Sequence, residues 1–94
     1  MVNLHFISGL QLKTDWVLGY GPRIIGPDSV DLKIFEKDAP GICFEIIPTT
    51  KGALYQTEHK KNVLLNKQNV KQKILKDKDR ITIYNTEILV SLIT

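Results

Sequence analysis

Residues 75–93, LKDKDRITIYNTEILVSLI, decide the fold. Two runs rich in isoleucine and valine, 81–84 and 87–93, flank Asn85-Thr86, and β-branched residues on both sides of a short polar break predict an antiparallel hairpin. Working backward, residues 42–47 (ICFEII) form an apolar run bounded by Gly41 and Pro48, too short for a helix and suited to a buried strand. Shorter runs at 2–8, 14–18, 23–25, 31–34, 53–56 and 62–65 are parted by Ser8-Gly9, Gly19-Tyr20-Gly21-Pro22, Gly26-Pro27-Asp28-Ser29 and Thr49-Thr50-Lys51-Gly52. Strand and turn recur about every 8 to 12 residues, the rhythm of an all-β sandwich.

One stretch reads two ways. Between residues 60 and 78, Val63, Val70 and Ile74 fall at helical spacings. Against a helix stand Asn62, Asn66 and Asn69, which bond locally to the backbone, and no coherent apolar stripe runs through them.

The chain has 94 residues, enough for one domain spanning 1–94 and one core. With 43% hydrophobic and 24% charged residues, 6 Gly and 4 Pro, it falls outside the collagen-like, low-complexity and disordered classes. Cys43 is the single cysteine, so no internal disulfide staples the fold and a reducing cytosol is the expected compartment. The first residues, MVNLHFISGLQLKTDW, lack the basic start and apolar stretch of an export signal, and no apolar run is long enough to span a bilayer.

Net charge is +3 but unevenly placed: residues 60–80 hold eight cations against Asp77 and Asp79, a net of +6, which leaves −3 for the rest. A basic flank of this kind suits an anionic partner, or simply keeps edge strands soluble. No aromatic residue is interleaved with these lysines, so a nucleic-acid stacking platform is absent and no nucleic-acid partner is expected.

The chemistry-bearing residues form no catalytic set. His5 lies in a strand and His59 in a lysine-rich loop, neither with a carboxylate at relay or ligand spacing. Cys43 sits in an apolar run, where a thiol packs as a small hydrophobe. Asp28, Asp31, Glu36 and Asp38 lack the order of a calcium loop, and the glycines make neither a dinucleotide nor a Walker loop. Neither enzymatic activity, nor a cofactor, nor a metal is expected.

The order of the pieces resembles the forkhead-associated (FHA) family over nearly the whole chain. Arg23-Ile24-Ile25-Gly26, Ser29-Val30-Asp31-Leu32-Lys33-Ile34, Val63-Leu64-Leu65-Asn66 and Leu75-Lys76-Asp77-Lys78-Asp79-Arg80-Ile81-Thr82-Ile83 are similar to that family's "R.IG", "nDI.I", "v.vNg" and "L.dGD.I.I" segments. The resemblance implies a β-sandwich of about ten to eleven short, mainly antiparallel strands that grips phosphothreonine peptides with loops at one end. The gripping residues are missing. Pro27 stands where the family has an arginine, and Ala39-Pro40-Gly41-Ile42 stands where it has serine, arginine and histidine; only Asn66 keeps a matching polar residue.

These departures, with Phe6-Ile7-Ser8-Gly9 and Thr14-Asp15-Trp16-Val17-Leu18 at the start, resemble the N-terminal cytoplasmic domain of the inner-membrane ring protein of type III secretion systems, the SctD/YscD/EscD family. That resemblance implies a structural part of a longer, single-pass inner-membrane protein, on the cytoplasmic face. Its implied partners are cytosolic sorting-platform proteins and, through other parts of the protein, further copies in the ring and an inner-ring lipoprotein; the isolated domain is expected to be a monomer. Docking is expected on the loops around Arg23, Lys60, Lys61 and Lys67, because charge steers association. The competing reading is a phosphothreonine-binding FHA signalling module.

Overall fold

A computed structural model describes residues 2–19, 21–28, 31–36 and 38–92. Among them are nine strands and no helix: β1 (Val2–Phe6), β2 (Asp15–Leu18), β3 (Arg23–Ile25), β4 (Phe44–Thr49), β5 (Gly52–Gln56), β6 (Val63–Leu65), β7 (Gln72–Ile74), β8 (Arg80–Ile83) and β9 (Thr86–Leu92). They build two antiparallel sheets, one in the order β2-β1-β9-β8-β6 and the other β3-β4-β5-β7.

Alternation makes the sandwich. Val2, Leu4 and Phe6 of β1, Ile81 and Ile83 of β8, and Ile88 and Val90 of β9 all face inward, while their sequence neighbours face out. From the other sheet Ile25, Phe44, Ile46 and Tyr55 close the core, with the Phe44 and Tyr55 rings tilted at a centroid distance of 5.6 Å. Trp16 packs on the core rim, edge-on to Phe6 at 4.7 Å.

The ambiguous stretch is strand and turn. Leu65 and Gln68 exchange backbone hydrogen bonds of 3.0 and 3.1 Å around Asn66 and Lys67, both at positive φ (53° and 62°). That is the two-residue hairpin turn whose backbone asparagine adopts readily, so three asparagines and a turn outcompete helix propensity. The chain then returns as β7 against β5.

Other boundaries moved for local reasons. The reading of 31–34 as a strand reduces to one parallel bridge, Leu32 to Ile25, because Pro27 sends the chain out of β3's line; Gly26 N donates to Leu32 O and Ile34 N to Gly26 O. Ser29 and Val30 lie outside the described residues. β4 runs through Pro48 rather than stopping before it; β3 ends opposite Ile46, so that flank of β4 asks no N–H of the proline. The closing turn is Tyr84-Asn85, one residue earlier than the sequence suggests, because Thr86 is drawn inside to donate to Glu36 Oε1 at 2.9 Å. The implied count of ten to eleven strands is nine among the described residues.

The strand directions sort the connections to two ends. Residues 7–14, 26–28, 33–43, 57–62 and 84–85 gather at one, the loop end. There Gln11, buried, donates to Lys33 O at 2.9 Å and accepts from Phe35 N at 2.8 Å, and Asn85 N donates to Glu36 Oε1 at 3.1 Å. Val2, Leu18, Pro48 to Gly52, Asp77 and Leu92 lie at the other.

Candidate protein-docking loops

The centre of the loop end is a corner where two segments touch through backbone alone. Gly26 leaves β3 and Gly41 precedes β4. Asp28 N donates to Gly41 O at 2.9 Å, and Cys43 N donates to Ile25 O at 2.8 Å. A Cβ on Gly26 would meet Gly41 O and stand 2.8 Å from both Cys43 N and Ile42 Cα, so only glycine permits the approach. The Asp28 carboxylate lies over Gly41, where any added Cβ would strike its Oδ2.

This brings together four of the positions singled out in the sequence. Pro27 and Pro40 are half-buried, Ala39 packs against the core, and Ile42 is exposed beside Cys43. Gly26-Pro27-Asp28 and Ala39-Pro40-Gly41-Ile42 offer no cation and no side-chain hydroxyl; the one charge they present is the Asp28 carboxylate, with Glu36 close behind on Asn85 and Thr86. These two segments themselves present like charge to a phosphate dianion and no side-chain donor for the charge-assisted bonds on which such sites rest.

Asn66 is not part of that corner. It sits at the far end of β6, where its Nδ2 donates to Asp79 Oδ1 at 3.0 Å and its Oδ1 accepts from Arg80 N at 2.9 Å. Asp79, buried, also accepts from Lys76 N at 2.8 Å and pairs with Lys73 at 3.8 Å. The asparagine therefore ties the β6 turn to β8.

Nor do Arg23, Lys60, Lys61 and Lys67 form one surface. Lys60 and Lys61 stand exposed at the loop end, in a turn closed by Asn62 N and Val63 N on His59 O at 2.8 and 2.9 Å. Arg23 points elsewhere: it bonds Pro22 O at 3.0 Å and lines a largely apolar cavity of about 340 Å³ with Leu18, Ile46 and Leu75 at the opposite end. Lys67 caps the β6 turn. Arg23 is set apart because it lies on β3, the edge of its sheet opposite β7.

One pairing escaped the sequence. His5 Nδ1 and Asp15 Oδ1 are 2.6 Å apart across the β1–β2 ladder, where the residues are direct partners, and Asn3 Nδ2 adds a bond of 3.4 Å to the same oxygen. Ten residues of sequence separation hid it; the signal was the hairpin register. The pair is partly exposed. Among the described residues no group of three His, Cys, Asp or Glu is placed to hold a metal ion, and no helix is long and apolar enough to cross a membrane.

Cys43 is fully buried, its Sγ against Pro40 O at 3.4 Å, and Thr57 Oγ1 donates to its carbonyl at 2.6 Å. Burial, with a smaller push from Glu36, raises the thiol from its ordinary 9.0 to about 12. Burial raises the Tyr55 hydroxyl too, with Cys43 adding to it. Between pH 9 and 12 the unfolded chain therefore binds fewer protons than the folded one, so stability is complete below about pH 9 and falls as pH rises towards 12. Urea unfolding is expected to show a falling midpoint from pH 8.5 to 11, less steep in Cys43→Ala; an unchanged midpoint would contradict a protected thiol.

No family profile matches the chain, and no curated protein matches it in sequence. Solved structures do match it. An FHA domain studied for phosphothreonine-dependent interactions superposes with a TM-score of 0.84, covering 99% of this chain and 97% of its own at 23% identity. The fold is that of an FHA domain. The FhaA FHA domain, solved in complex with the intracellular domain of another protein, gives 0.81 over 96% and 99% of the two chains at 23% identity. The cytoplasmic domain of PscD, a type III secretion sorting-platform protein of P. aeruginosa, gives 0.76 over 95% of this chain and 78% of its own at 18% identity. In this FHA-like sandwich the Gly26 and Gly41 corner is the loop end, and an interaction module, rather than an enzyme, is what such neighbours exemplify.

Proposed function

We propose that this domain is a docking module of a type III secretion apparatus, the cytoplasmic portion of its inner-membrane ring protein, which receives cytosolic sorting-platform proteins without reading phosphothreonine. One observation carries the reading: in an FHA-like fold, the two loop segments that meet at Gly26 and Gly41 are built from glycine, proline, alanine and isoleucine, with Asp28 folded over them. Likeness to the PscD cytoplasmic domain supports the setting. Exposed Ile42, and Phe35 and Tyr84 on neighbouring loops, supply the apolar contacts a protein partner uses in place of phosphate.

Calorimetric titration tests it. A phosphothreonine peptide and its unphosphorylated twin are expected to bind equally poorly, above millimolar, because losing two charge-assisted bonds at about 1.5 kcal/mol or more each weakens binding over a hundred-fold. A sorting-platform protein from the same apparatus is expected to bind, and Ile42→Asp to weaken it about tenfold. Submillimolar binding that vanishes with the phosphate would instead establish a phosphothreonine reader.

A further inference from the structure

The lysines of residues 60–80 gain a shape from the fold. β6 edges one sheet and β7 edges the other, and residues 66–71, beginning with the Asn66-Lys67 turn, lead from one to the other, so both edges lie on one side of the sandwich. Lys67, Lys71, Lys76, Lys78 and Arg80 are exposed there, continuing to Lys60 and Lys61 at the loop end. Of the two acids of the segment, Asp79 is buried under Asn66 and the Lys76 backbone and pairs with Lys73 at 3.8 Å, while Asp77 is exposed and accepts from Leu92 N at 2.9 Å, so one exposed carboxylate stands against these cations. The positive charge therefore gathers on the β6–β7 side.

Edge protection alone does not call for so many cations. β3 is also an edge, and it is covered without lysine: Leu32 bridges Ile25, and Asp31 Oδ2 accepts from Ile24 N at 3.0 Å. β2, the remaining edge, reads Asp-Trp-Val-Leu. The basic side also lacks what a protein or nucleic-acid partner uses. None of the exposed large apolar side chains falls between residues 60 and 80, and no aromatic residue occurs there to stack on bases. Long, separate, hydrated ammonium groups on a surface without an apolar anchor suit a partner that is anionic, extended and needs no shape complementarity.

We infer that the β6–β7 side of this domain docks on an anionic bilayer surface, through its lysines and without insertion. This is independent of what the loop end binds. The test is co-sedimentation of the chain with vesicles of phosphatidylcholine containing about 30% phosphatidylglycerol, at low and at near-physiological salt. Binding is expected at low salt, falling at least tenfold at higher salt, and absent with phosphatidylcholine alone. Lys67→Gln, Lys71→Gln and Lys76→Gln together are expected to cost about a hundred-fold, near five-fold per lysine, while Lys33→Gln stays within two-fold; circular dichroism checks that each variant folds. No binding to the anionic vesicles, equal binding to neutral ones, or displacement from them by stoichiometric amounts of a short DNA duplex or an acidic polypeptide would overturn the inference.

Discussion

Replacing Phe6 by alanine is expected to lower stability by about 4 kcal/mol, the middle of the range for removing a fully buried aromatic ring. Phe6 is 0% exposed, pairs with Ile88 across the β1–β9 ladder and meets the Trp16 indole edge-on at 4.7 Å. The ring thus joins the edge strand β2 to the middle of its sheet, and its loss leaves Trp16 against a void. A domain of this size has only about 5 to 14 kcal/mol in total, so the variant should unfold about 16 °C or more below the parent. Trp16, the only tryptophan, reports it directly by fluorescence. A loss under about 1.5 kcal/mol would mean that Trp16 fills the space and that the edge contact matters little.

Gly26→Ala is the second large effect, by the opposite mechanism. Here a methyl group is added where Gly41 O, Cys43 N and Ile42 Cα already stand, all of them backbone. Backbone cannot swing aside as a long side chain can, so one loop must part from the other, breaking the Asp28–Gly41 and Ile25–Cys43 bonds. The expected cost is about 3 kcal/mol, and a drop of about 12 °C or more in thermal midpoint measures it. Gly19→Ala is the control: a Cβ there meets nothing within 4 Å. Equal effects from the two substitutions would show that the corner is looser than its contacts indicate.

The parts of the fold legible in the sequence were those written in alternation. The run from Ile81 to Leu92 carries inward isoleucine and valine on both arms, and 42–47 carries Cys43, Phe44 and Ile46 inward, so hydrophobic pattern alone located them. What escaped was written in pairings between distant residues. Leu32 alternates like a strand residue yet makes a single bridge, because Pro27 redirects the chain five residues earlier. His5 and Asp15 become partners only once β1 and β2 align. At the site, the substitutions at Pro27 and at Ala39 to Ile42 were visible as missing chemistry, whereas the closeness of Gly26 to Gly41, and the diversion of Asn66 to Asp79 and Arg80, needed coordinates. The charge excess of 60–80 was legible as a sum; that it lies along one side, with Asp79 turned inward, was not.

Val2 and Leu92 are direct partners in the β1–β9 ladder, at the end remote from Gly26 and Gly41. A tag, tether or fusion attached beyond Val2 or Leu92 therefore starts from neighbouring strand ends, remote from the loops. The domain behaves as a plug with both wires at its base, so immobilising it by either end for a binding assay leaves the opposite tip unobstructed.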